Sequence, residues 1–148
     1  ASPALITEAD RREAAAAMME SEADFLLIAT HHPLLAVGAP WIDRGRIQNP
    51  EELVQWLSES SYARNENRHS RLKAMVFGHA HQEVAGSCAN VPVFGAPSTC
   101  FQFKPQSEKF ALDDAHPGYR WLTLDDAGEI STEVRRVDSF GINPVLKR

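Results

Sequence analysis

At 148 residues and 43% apolar content, the chain fits one domain of roughly 100–200 residues around a single packed core. A formal charge of −5 and a pI near 5.6 argue against a surface dominated by nucleic-acid phosphates. No run approaches the about 18 consecutive apolar residues of a membrane span, and Cys88 and Cys100 form neither a C-x-x-C pair nor a disulfide framework, so the expectation is a soluble, cytoplasmic protein without a nucleic-acid or membrane partner.

The sequence opens on Ala1-Ser2-Pro3-Ala4 with no initiator Met and no charged-then-apolar leader. It reads either as a chain that has lost residues before Ala1 or as a processed or engineered piece. Thr7, Glu8 and Asp10 mark a helix start, and the alanine-rich run to Met19 predicts a helix near 7–20. Asp24 to Thr30 is a continuous apolar run, which predicts a short strand covered on both faces. It ends in His31-His32-Pro33, where Pro33 cannot donate to a ladder and biases His32 away from helical geometry, so a loop begins. Asn49-Pro50-Glu51-Glu52 is a helix entry leading to about Ser58. Glu59 to Arg71 reads as the exposed end of that helix and a loop. Leu72 to Phe77 is a second strand, stopped by Gly78 and followed by His79-Ala80-His81. Shorter strands follow near Val91–Phe94, Tyr119–Leu124 and Glu129–Val137, the last two joined by a hairpin turn at Asp125-Asp126-Ala127-Gly128. A tail begins at Ser139, leaving 1–138 as the domain. The alternation of helix and strand predicts an α/β fold with ligands outside the carboxyl ends of its strands, which is where the histidines fall.

His79 and His81 are spaced i, i+2, and in extended backbone that spacing puts both side chains on one side, roughly 6–7 Å apart. Ions in two-metal hydrolases sit about 3.5–4 Å apart, so two such imidazoles can serve neighbouring ions. The plainer reading is a pair of partly exposed loop histidines. His31, after a separate strand, strengthens the metal reading, with His32 beside it as the catalytic candidate, behind the ligand or facing substrate. A mononuclear zinc site of His31, His79 and His81 plus water is an alternative. Trp41 either packs or lines the substrate mouth, and Asp43 is either a turn residue or a substrate contact. Trp56 reads as packing, Lys104 and Arg120 as phosphate contacts or solvated cations, and the cysteines as small buried residues. Asp114-Ala115-His116, beside Pro117, reads as a turn.

Several segments together resemble the calcineurin-like metallophosphoesterases, and within them the bacterial class III 3′,5′-cyclic-AMP phosphodiesterases. They are Ala29-Thr30-His31-His32-Pro33-Leu34, Trp41-Ile42-Asp43, Phe77-Gly78-His79-Ala80-His81-Gln82-Glu83, Pro97-Ser98-Thr99-Cys100-Phe101-Gln102-Phe103-Lys104-Pro105 and Pro117-Gly118-Tyr119-Arg120. The first and third are shared across metallophosphoesterases, whereas Pro97 to Pro105 is narrower and points to the cyclic-nucleotide subgroup. Over about residues 22–137, the resemblance implies the C-terminal half of a four-layer α/β/β/α sandwich. It implies two transition-metal ions, of iron, manganese or zinc, with His31 and His79 on one and His81 on the other. It also places Trp41, Asp43, Ser98, Thr99 and Cys100 on the side of a cyclic-nucleotide substrate. The family's N-terminal half carries Asp-x-His, Gly-Asp and Gly-Asn-His-Asp segments, and none is found here in that place, Asp114-Ala115-His116 falling after the histidine motifs. The implied partner is therefore a complementing N-terminal segment or a second copy. The reading from a different class is a non-catalytic fold remnant or oligomerisation module.

Overall fold

The computed structural model describes residues 4–59 and 71–138, so the expectations for the loop at 60–70 and the tail at 139–148 lie outside the described residues. The first helix, α1 (Glu8–Glu20), begins where the sequence predicts: the Thr7 hydroxyl accepts from the Asp10 N–H, and the Asp10 carboxylate accepts from the Thr7 N–H at 2.7 Å. This reciprocal cap satisfies donors that a helix start leaves unpaired. Only Met18 of α1 is buried.

Strand β1 (Leu26–Thr30) runs parallel to β2 (Leu72–Phe77), which runs parallel to β4 (Val91–Gly95); β3 (Val84–Cys88) closes the sheet antiparallel to β4, in the order β1-β2-β4-β3. Between β1 and β2 lie the short helix α2 (Pro40–Asp43) and helix α3 (Pro50–Glu59). Leu53, Val54 and Leu57 of α3 join Leu34, Ile42, Ile47, Met75, Phe77 and Val93 in one buried cluster. Pro92 sits inside β4 without cost to the parallel ladder, because pairing of β4 with β2 starts at Val93.

The expectation for β1 is corrected. No described strand lies along its outer edge, Leu27 is 44% exposed, and Ala29 is exposed too. An apolar run signals burial only when something covers both faces.

Beyond the sheet come two ribbons, β5 (Gln102–Phe103) with β6 (Leu112–Asp113), and β7 (Gly118–Leu124) with β8 (Ile130–Arg136). The β7–β8 turn is the predicted one. Asp125 Oδ1 accepts from the N–H groups of Ala127 and Glu129, and Gly128 takes φ +80°. Arg120 ties this hairpin to the sheet: its guanidinium donates to the carbonyls of Gly95 and Val84 and to Thr132 Oγ1, and lies over Phe94. The guanidinium, read from sequence as either a phosphate contact or a solvated cation, is thus a structural clamp. No described helix is long and apolar enough to cross a membrane.

Candidate active site at the carboxyl ends of two parallel strands

Thr30 and Phe77 are register partners, so β1 and β2 deliver the next residues of both strands to one edge of the sheet. On β1 these are His31 and His32, whose loop is held by a bond from Thr30 Oγ1 to the His32 carbonyl. On β2 they are Gly78 and His79. Three rings meet there: His31, His32 and His79 have centroids 5.0–5.2 Å apart, and His79 Nδ1 lies 3.1 Å from His31 Nε2. Burial, and then the neighbouring His32, His31 and His81, hold the His79 pKa below its ordinary value. A neutral imidazole keeps a lone pair, which is the form that binds a metal.

The backbone at 78–81 is not extended. His79 and His81 both have left-handed φ, 55° and 49°, and the Ala80 N–H turns back to the Gly78 carbonyl. The i, i+2 argument from sequence therefore fails in its geometry, and the two rings pack on different neighbours. His81 stacks on Phe103 at 4.4 Å and 10°, with Nδ1 2.9 Å from the Phe101 carbonyl. A carbonyl only accepts, so Nδ1 carries the proton and Nε2 is left as the lone-pair nitrogen. Left-handed backbone costs an L-residue about 1–2 kcal/mol, and both histidines of this turn adopt it. Gly78 needs no special freedom: an added Cβ would meet His31 no closer than 3.9 Å.

Among the other sequence candidates, Trp41 is joined to His81 through Phe103. Trp41 packs edge-on against Phe103 at 4.8 Å and Phe110 at 5.5 Å, with its Nε1 buried and unpartnered. Asp43 accepts from the N–H groups of Val37 and Gly38, which makes it the anchor of that loop. Ser98 shapes the turn through its hydroxyl, which accepts from the Cys100 N–H; Thr99 and Cys100 are exposed there. Cys100 therefore departs from the expected burial, while Cys88 is buried. His81, Phe101 and Phe103 pack on one another as a second aromatic group. His116 bonds the Val137 carbonyl from the segment joining β6 to β7.

Two residues had no individual role in the sequence reading. Gln102 is 2% exposed and braces the 98–102 turn, accepting from the Ser98 N–H and donating to the Ser98 carbonyl. Gln82 is also buried. Amides carry no periodic signal, so only tertiary contacts reveal them.

Imidazole is a donor that suits transition metals, and four ring nitrogens here could serve one. The facing nitrogens of His31 and His79, the free Nε2 of His81 and the buried, unpartnered Nδ1 of His32 are all imidazole donors. Among the described residues no group of three or more His, Cys, Asp or Glu side chains is arranged to hold an ion by itself.

No protein-family model matches the chain. It is 40% identical over 121 residues to a 3′,5′-cyclic-nucleotide phosphodiesterase of Nostoc, covering 81% of this chain and 42% of that protein. It is 39% identical over 123 residues to the 3′,5′-cyclic adenosine monophosphate phosphodiesterase CpdA of Vibrio vulnificus, covering 83% and 41%. Against CpdA of Pseudomonas aeruginosa the identity is 37% over 114 residues, covering 77% and 39%. The chain thus spans about two fifths of the length of the curated relatives it matches. Joined to the histidines at two strand ends, these likenesses make the chain similar, over about four fifths of its length, to the bacterial cyclic-nucleotide phosphodiesterases.

Proposed function

We propose that this chain supplies the histidine wall of a dinuclear metal site in a phosphodiesterase that hydrolyses 3′,5′-cyclic nucleotides, cyclic AMP foremost. The observation that carries the reading is the meeting of His31, His32 and His79 at adjacent parallel strand ends, in a chain whose relatives are named for that activity. His31 and His79 would hold one ion and His81 Nε2 the other, with iron, manganese or zinc as the candidates. When bound, such ions polarise the phosphoryl group and clamp the oxygens of an in-line displacement. The residues of this chain prepare for that. The Phe101 carbonyl fixes the His81 tautomer, stacking on Phe103 fixes its ring, and His79 stays neutral. His32, in ring contact with both His31 and His79, is the group that handles a proton. Trp41, Asp43, Ser98, Thr99 and Cys100 form the substrate side.

The carboxylate ligands come from polypeptide outside the described residues, supplied as a complementing N-terminal segment. The outer edge of β1 supports this. A groove of about 450 Å³ runs along Leu26 to Thr30 between β1 and α1, lined by apolar side chains such as Met18, Leu53 and Leu57. An unpaired strand edge beside an apolar groove is a template for another strand, and a strand added there would end beside His31. On this reading residues 1–138 are the C-terminal part of a four-layer α/β/β/α catalytic domain, 139–148 a tail, and the protein acts in the cytoplasm.

The test is to rejoin the chain with an N-terminal half and add manganese or iron. Hydrolysis of cyclic AMP and of a bis-aryl phosphate, with more than one ion per site and loss of both by His79→Ala, is the expected result. Absence of metal uptake and of both activities would overturn the proposal, and a metal-free dimer of the chain would favour the oligomerisation module.

A further inference from the structure

Beside His81 the surface opens into a recess of about 390 Å³, within the size range of small-molecule sites, bounded by residues 81–85, the β5–β6 ribbon and the loop at Ala36–Val37. Gln82 lines it, is 7% exposed, and its Nε2 is buried with no hydrogen-bond partner. A buried amide donor without a partner costs about 1–3 kcal/mol. A turn of the side chain that brings this amide to the recess wall, where a ligand can accept from it, would remove that cost. The charges at the recess are Glu83, Asp113 and Arg136, and Arg136 is already engaged, 3.9 Å from Glu83 and donating to the His116 carbonyl. Two carboxylates against one occupied guanidinium disfavour an anion. A phosphate is therefore the wrong occupant, and a neutral group rich in donors and acceptors is the right one.

We infer that this recess takes the nucleoside end of the substrate, with the Gln82 side-chain amide bonding the edge of the base, while the phosphate lies toward the histidines. The assignment rests on the cyclic-nucleotide reading and deepens it. A glutamine amide pairs a donor with an acceptor, which matches the adjacent donor and acceptor on an adenine edge. His81 lines the recess, and its charge is also felt at His79 of the three-ring cluster, which sets the direction in which the phosphate would lie. Gln82 is then a specificity residue, set immediately after the ligand-bearing turn.

The experiment uses adenosine, which has no phosphate, titrated into the 148-residue chain and followed by NMR at the Gln82 side-chain amide and the Arg136 backbone. Saturable shifts at both are expected, weakened at least about tenfold by Gln82→Leu, which corresponds to about 1.4 kcal/mol. Ala36→Trp, at an exposed position on the lining, should weaken binding similarly by filling the space, and it keeps the test decisive if Gln82→Leu does not fold. No saturable shift in the unaltered chain, or unchanged affinity in Ala36→Trp, would overturn the inference. Cyclic AMP hydrolysis by the rejoined protein with no adenosine binding would sink the recess assignment alone. Adenosine binding without any hydrolysis would support the recess and sink the phosphodiesterase reading.

Discussion

Replacing Gly95 with alanine tests whether Phe77 is a fixed wall behind the histidine turn. The new Cβ would lie 2.8 Å from two Phe77 ring carbons and 2.9 Å from Val84 Cβ, inside any ordinary contact. Phe77 is 2% exposed, and Met75 and Val93 in the same core are fully buried, so the ring has little room to yield. Overpacking of this kind costs about 1–3 kcal/mol. At roughly 2–4 °C per kcal/mol for a chain of this size, Tm should fall by about 2–12 °C. Circular dichroism melts in metal-free buffer would measure it, with Gly78→Ala as the control. There the nearest atoms are 3.9 Å away, and stability should stay within about 0.5 kcal/mol. Because Phe77 directly precedes Gly78 and His79, the His79 ring resonances should also shift in Gly95→Ala. An unchanged Tm would refute the claim that close packing fixes the strand end.

Arg120→Met removes three hydrogen bonds and leaves the Gly95 and Val84 carbonyls short of a donor; chemical denaturation should show a loss of about 1–3 kcal/mol, with metal uptake by the rejoined site unchanged. Cys88 is buried, and burial followed by the nearby Glu51 raises its thiol pKa, so iodoacetamide near neutral pH should label exposed Cys100 in the folded chain and Cys88 only in denaturant; equal rates, read by mass spectrometry, would contradict the packing. For His79 the folded pKa lies below the ordinary 6.5, so the native chain resists a proton that the unfolded chain accepts. Its contribution is intact above about 6.5 and is lost as pH falls through the folded value; an NMR titration of the metal-free chain that found His79 protonating at or above 6.5 would reverse the sign.

What could be read from the sequence was whatever depends on local chemistry. The Thr7 start of α1, Pro50 at the first turn of α3, the stop of β2 at Gly78 and the Asp125–Gly128 turn all follow from caps and breakers. Strand β3 was not legible: Val84 to Cys88 contains Gly86 and Ser87, alternates weakly, and joins β4 through Ala89 and Asn90, both with positive φ. That turn geometry usually announces itself with Asn-Gly, and here alanine occupies the first place. The placement of His31 beside His79 was legible because two strand ends in an α/β fold share one edge. The divergence of His81 was not, since it depends on left-handed backbone at two histidines and on Phe103 arriving from a ribbon some twenty residues later. The exposure of Leu27 shows the same limit from the other direction, because hydrophobicity identifies a surface that wants a cover without saying which polypeptide provides it.

The parallel pairing of β1 with β2 also sets an order of events. The β3–β4 and β7–β8 hairpins close over short loops, which takes about 1–10 μs, whereas His31 and His79 meet across 48 residues. Long-range parallel pairing is slow because the chain must lose its loop entropy before any contact compensates. On this reasoning the histidine cluster is expected to assemble late. Contacts that form after the folding barrier has been crossed act on escape from the native state rather than on arrival. A bound ion or nucleotide at this edge should accordingly lengthen the lifetime of the folded chain while leaving its folding rate nearly untouched.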